Sequence, residues 1–149
     1  MSEDGFQYRH RLVVRFSDCD PMGHVNHAVY FTYFEQCRLS WWRHLGGATG
    51  MPGASTVIVH AACDYRAPAH VHDELEIRLK LSIIGGSSVT LAYEVVNVAT
   101  GRRLAEGRTV NVTLDPATHK PIPVPEETRA RLTGADLPND QDQAKTHEI

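Results

Sequence analysis

Between residues 74 and 84 the chain alternates without a break. Leu75, Ile77, Leu79, Leu81 and Ile83 fall on one face, and Glu74, Glu76, Arg78, Lys80 and Ser82 on the other. A period of two marks a strand with one buried face. The same pattern opens residues 88–98 at Val89, Leu91, Tyr93 and Val95, until the adjacent Val95 and Val96 break it and predict a bulge. Residues 103–114 place Leu104, Val110, Val112 and Leu114 together. Residues 8–16 (YRHRLVVRF) read as a first strand, and residues 56–65 as a strand apolar on much of both faces. Gly85-Gly86 and Thr100-Gly101 supply turns between the later strands.

From residue 27 to 45 the period changes. Tyr30, Phe34, Cys37, Trp41 and Leu45 recur at spacings of three and four, and Phe31, Tyr33, Leu39 and Trp42 widen the stripe. Thr32, Gln36, Ser40 and Arg43 leave a narrow polar face, so this predicts a helix buried around most of its circumference. Gly46-Gly47 stops it. Strand, long helix, then four strands on short turns is an α+β order with an antiparallel sheet. A helix over 27–45 is roughly 28 Å long, and strands of this size reach roughly 30–40 Å, so the sheet can wrap the helix along its length. One copy leaves sheet edges open, which predicts a homodimer or homotetramer.

The length of 149 residues predicts one domain, over 1–133. Residues 126–132 offer a short helix, and 134–149 a polar, disordered tail. At 42% hydrophobic and 22% charged residues the composition is that of an ordinary globular protein, and a net charge of −3 gives no reason to propose nucleic acid as a partner. No basic amphipathic helix or long apolar run suggests a membrane, and the start lacks the apolar core of a signal peptide. A cytoplasmic location is therefore expected. The three cysteines, Cys19, Cys37 and Cys63, have no metal or redox spacing and read as buried thiols. His24 with His27, and His70-Val71-His72-Asp73, do not form a full ligand set, so no metal is expected.

One polar stretch leads straight into the apolar helix: SDCDPMGHVNHAVYF, residues 17–31. A loop of this kind delivers carboxylates and histidines to a helix N-terminus, where unpaired N–H groups and the helix dipole favour negative charge. Asp18-Cys19-Asp20-Pro21-Met22-Gly23-His24-Val25-Asn26-His27, followed by Tyr30-Phe31 and Tyr33-Phe34-Glu35, resembles the start of hot-dog-fold acyl-CoA thioesterases of the 4-hydroxybenzoyl-CoA thioesterase-like group. Tyr65, Pro68, Asp73 and Leu75 match that group's run after the second strand, and Lys120-Pro121-Ile122-Pro123-Val124-Pro125 its ending. The resemblance covers roughly residues 8–132.

The resemblance implies a hot-dog fold and hydrolysis of an acyl-CoA to a carboxylic acid and coenzyme A. No cofactor is implied, since coenzyme A is part of the substrate. Asp20 falls on the family's catalytic carboxylate, as nucleophile or as general base, and the His27 backbone N–H on the group that polarises the thioester oxygen. His24 and Asn26 fall on positions that line the site in relatives, and Tyr30 lies beside the acyl pocket. Glu35 matches a subgroup whose catalytic carboxylate is on the helix. Met22 departs from relatives that carry Asn there, so an Asn-dependent mechanism is not implied.

Residue chemistry leaves alternatives open. Asp18, Asp20 and Asn26 are also favoured turn and N-cap residues, and Glu35 can pair with Arg38 or Arg43 along the helix. Arg66, His70, Arg102 and Arg103 are either contacts for coenzyme A phosphates or ordinary solvated charge. The competing function is a non-catalytic binder of acyl-CoA or acyl carrier protein on the same fold.

Overall fold

The computed structural model describes residues 4–48 and 50–134. Five strands, β1 (Tyr8–Val13), β2 (Ser55–Tyr65), β3 (Glu74–Ile84), β4 (Ser88–Asn97) and β5 (Arg103–Leu114), form one sheet in the order β1-β3-β4-β5-β2, with every neighbouring pair antiparallel. The long helix α1 (Val29–His44) lies between β1 and β2 in sequence, and a short helix α2 (Glu126–Thr133) follows β5. This is the α+β hot-dog arrangement that the periodicity and the resemblance predict. The polar tail lies outside the described residues, apart from Gly134, which caps α2 in a left-handed conformation.

The helix stripe is buried as its spacing requires. Phe34 and Cys37 are fully buried, and Trp41 nearly so, in one cluster with Leu75, Ile77 and Leu79 of β3 and Val89, Leu91 and Val95 of β4. Phe34 stacks on Tyr93 with ring centres 4.5 Å apart. A Cβ at Gly107, opposite Tyr93 on β5, would stand 2.2 Å from the Phe34 ring, so that stack needs glycine there.

Two bulges refine the strand reading. The predicted irregularity at Val95/Val96 is present in the β4–β5 ladder. A second, between Leu81 and Ile83, shifts the β3–β4 register. It turns Ile83 outward, against the simple alternation, while Ile84 packs against the core. The first strand is also shorter than predicted. After Val13 the chain leaves the ladder for a 3₁₀ turn over Phe16–Asp18.

β2 is the least covered element. It is an edge strand, and Val57, Ile58, Val59 and Tyr65 are 43%, 39%, 59% and 45% exposed. α1 runs antiparallel to it: Tyr65, the last residue of β2, bonds to the chain just before α1, whereas the start of β2 lies beside the later half of the helix.

Candidate active site

The loop before α1 is a tight ribbon. Asp20 and His24 exchange backbone contact through the Asp20 N–H and the His24 carbonyl at 2.8 Å, and the Gly23 N–H donates to the Asp20 carbonyl at 3.0 Å. Gly23 stands at φ 81°, where a side chain would be strained. The ribbon is sewn to the segment before β3 by the Val25 N–H, which donates to the Ala69 carbonyl, and by a bridge between His24 and His70. The His24 and His70 rings meet edge-on at 5.0 Å, and His70 Nδ1 lies 3.7 Å from Asp73.

The two aspartates of the motif have different surroundings. Asp18 is buried and fully engaged, accepting from the Arg15 backbone N–H, the Arg15 guanidinium and the Tyr33 hydroxyl at about 3 Å. Burial alone would raise its pKa, but these hydrogen bonds outweigh it and hold the carboxyl below the ordinary aspartate value. Asp20 is half-buried, with Oδ1 accepting from the Met22 and His24 N–H groups at 2.9 and 3.2 Å. Its Oδ2 has no partner among the described residues. Asp20 therefore has one oxygen anchored in the turn and one without a partner among the described residues.

The helix begins two residues later than its periodicity predicts. The Asn26 side-chain oxygen accepts the Ala28 N–H at 3.0 Å, and the Asn26 carbonyl accepts the Val29 N–H at 2.9 Å. This Asx turn holds residues 26–28 outside the helix, and the N-cap itself is Ala28, with no side-chain hydrogen bond. The His27 N–H has no partner among the described residues, while its carbonyl accepts the Tyr65 hydroxyl at 2.6 Å. Burial, with the Cys63 thiol nearby, pushes Tyr65 up to about 12, so it stays protonated as the donor. Tyr65 carried no assigned role in the sequence. Its place in the Y-x-x-P run was the available signal.

Tyr30 is buried beneath this corner, its ring edge-on to Tyr65 at 5.1 Å and to Tyr33 at 6.0 Å. Glu35 lies elsewhere. It is exposed on α1, its carboxylate 4.0 Å from Arg38, and lines a separate cavity beside the start of β2. Asp20, His24 and His27 do not line that cavity. Arg66 and Arg103 pair with Glu106, and Arg103 also with Glu94. Among the described residues no group of three or more His, Cys, Asp or Glu side chains is placed to hold a metal ion. None of the described helices is long and apolar enough to cross a membrane.

A family model described as the thioesterase-like superfamily matches residues 14–132. YsmA of Bacillus subtilis is 32% identical over 127 residues, covering 85% of this chain and 86% of its own. The acyl-CoA thioester hydrolase YbgC of Escherichia coli is 30% identical over 128 residues, covering 84% and 95%. A solved thioesterase of Thermus thermophilus, complexed with coenzyme A and zinc, superposes with a TM-score of 0.79 at 32% identity, over 88% of this chain and 95% of that one.

Proposed function

Starting from a chain that belongs to the thioesterase-like superfamily, we propose that it hydrolyses acyl-CoA thioesters at the loop before α1, with Asp20 and the His27 N–H as the reacting pair. The observation that carries this reading is the coincidence of two unpartnered groups: Asp20 Oδ2 and the His27 N–H, seven residues apart on one ribbon. A thioester carbonyl between them meets a base or nucleophile on one side and a donor on the other.

In the general-base route, Asp20 takes a proton from water as the water oxygen bonds to the carbonyl carbon. The carbonyl π electrons move to oxygen, where the His27 N–H stabilises the developing charge. Collapse breaks the C–S bond, and the departing sulfur takes the proton, leaving a carboxylic acid and coenzyme A. In the nucleophilic route Oδ2 itself attacks, expelling the thiolate to form an anhydride that water then opens. An oxyanion donor of this kind is worth about 3 kcal/mol or somewhat more. His24 and Asn26 shape the ribbon and are the proposed substrate contacts beside it.

The assembly belongs to the same proposal. β2 exposes apolar side chains along an open edge, and a second copy pairing antiparallel on that edge would cover them by a two-fold interface. In such a pair the start of one β2 faces the end of the other. A Val59→Lys variant should then sediment as a monomer where the wild type sediments as a dimer or larger assembly. A cytoplasmic location accompanies this reading.

The direct test is thiol release from a panel of short, long and aromatic acyl-CoAs, with binding measured in parallel. Turnover of at least one member supports the hydrolase. Tight binding with no thiol release across the panel would replace it with the non-catalytic binder.

A further inference from the structure

The face of the sheet turned away from α1 carries a pattern that the proposed chemistry does not use. Neighbouring strands set its residues in rows. Ile83, Thr90, Val110 and His60 lie abreast across β3, β4, β5 and β2, and Val112 stands beside Val57 in the next row. The bulge after Leu81 is what turns Ile83 to this side, where it is 61% exposed. Val57 is exposed as well, so one end of the outer face is apolar.

Toward the other end the rows are charged. Lys80, Ala92, Arg108 and Ala62 lie abreast, followed by Arg78, Glu94, Glu106 and Asp64. Both rows border a groove of ≈ 440 Å³ whose wall includes the two alanines. Lys80 rests on the Phe6 ring at 5.0 Å, and Arg108 bonds to His60 Nε2 at 3.2 Å. Among the described residues neither cation has a carboxylate partner, and Asp64 has no cation. Glu76, nearer β1, is by contrast met by Arg9, Arg11 and Arg78. The open charges therefore extend from β3 toward β2, the edge on which a second copy is proposed to pair.

This pattern selects its occupant. A uniformly acidic or uniformly basic partner would set like charges against one row or the other. A second copy carries both signs at the same spacing, and two-fold packing can lay the basic row of one over the acidic row of the other. Ala62 and Ala92 leave room for two sheets to approach to the usual separation of about 10 Å. Five strands about 4.8 Å apart and roughly 30 Å long give one copy a face of roughly 700 Å². Two lone copies would bury at most about 1,400 Å² in total, near the lower end for stable interfaces. Two copies paired along β2 join their sheets into one and double that area.

We propose that this outer face, from Ile83 across Val110 to β2 with Lys80 and Arg108 beside it, is the surface on which two β2-paired dimers pack back to back. This rests on the β2 pairing above and is independent of the hydrolase reading.

Sedimentation of the full-length protein over a dilution series tests it. Wild type should run as a tetramer, and Ile83→Asp and Arg108→Glu each as a dimer. The dissociation constant of that step should rise about 100-fold or more, because symmetry repeats each substitution at every copy. Both side chains are exposed, so the variants should keep the wild-type circular dichroism spectrum. Val59→Lys, which opens the β2 pairing, should give monomers. A wild-type dimer that Val59→Lys takes apart would overturn the outer-face interface and leave the β2 pairing standing. A tetramer left intact by Ile83→Asp and Arg108→Glu would overturn it too, and a wild-type monomer would end both. If Val59→Lys leaves the mass unchanged while the outer-face variants halve it, the β2 pairing fails and the outer face stands as an interface by itself.

Discussion

Replacing Asp20 by Asn and by Ala separates its two oxygens. Asn keeps a carbonyl oxygen where Oδ1 accepts from the Met22 and His24 N–H groups, at 2.9 and 3.2 Å. It replaces the unpartnered Oδ2 with an NH₂ that neither attacks a carbonyl nor removes a proton from water. Asp20→Asn should therefore fold with an unchanged ribbon and melt within a degree or two of wild type, since about 1 kcal/mol shifts Tm by only about 2–4 °C in a chain of this size. Its kcat should fall by roughly 10²- to 10⁴-fold, the usual contribution of a positioned general base. That corresponds to about 3–5 kcal/mol of transition-state stabilisation.

Asp20→Ala should lose the same activity and, in addition, stability. Two amide hydrogen bonds at about 1 kcal/mol each would cost about 2 kcal/mol if no water replaced them. The loop is half open, so about 1 kcal/mol is the working figure, or a Tm lower by about 2–4 °C. Thiol release and thermal melting on the two variants and wild type give the complete comparison. Wild-type turnover by Asp20→Asn, with Asp20→Ala impaired only in stability, would make Asp20 a turn residue and end its catalytic assignment. In a single turnover in oxygen-18 water, label in the Asp20 carboxylate marks the nucleophilic route with the anhydride opened at the Asp20 carbonyl carbon, because the general-base route labels only the product acid.

Three further outcomes follow from the same geometry. Asp18 titrates below the ordinary aspartate value when folded, so its contribution to stability is present above about pH 4 and is lost as pH falls through the folded value. Urea midpoints measured against pH should show this acid loss in wild type, and a smaller one in a destabilised Asp18→Asn. Tyr65→Phe removes the 2.6 Å bond to the His27 carbonyl, and with it a restraint on the peptide carrying the proposed oxyanion donor. It should lower kcat by roughly 5- to 30-fold, the equivalent of about 1–2 kcal/mol, with little change in substrate binding. Gly107→Ala forces a Cβ into the Phe34 ring at 2.2 Å. A denaturation midpoint should report a loss of about 1–3 kcal/mol.

Most of the fold is legible in the sequence because most of it is periodic. The stretch 74–84 and the stripe from Tyr30 to Trp41 each place a continuous apolar face, and nothing else of that length can bury them. The boundaries moved where side chains compete with the backbone ladder. Asn26 draws two amides into its own turn and delays the helix, and the bulge after Leu81 reverses the exposure expected for Ile83. Neither event changes hydrophobic periodicity, so neither is visible in it. The motif located the loop, but residue type alone leaves Asp18 and Asp20 equivalent, both being favoured turn and N-cap residues. What separates them physically is Arg15 and Tyr33, which converge on Asp18 from either side and leave Asp20 outside that network.

The interior chain of hydrogen bonds running from Arg38 through Tyr93 and Thr109 to Asn111 was illegible for a different reason. Arg38 sits three residues from Glu35 on a helix, where a sequence suggests a solvated pair, and Asn111 lies in a strand between Val110 and Val112. Each is unremarkable alone. They become a unit only because β4 carries Tyr93 between them, its hydroxyl reaching Arg38 on one side and Thr109 on the other. The contact spans 55 residues on one side and 16 on the other, a separation that no local pattern encodes. Burial then sets the energetic requirement: polar groups removed from water each need a partner, and a loop motif says nothing about them. In this chain the candidate reacting groups are written locally, before α1, while the interior polar network is written across α1, β4 and β5.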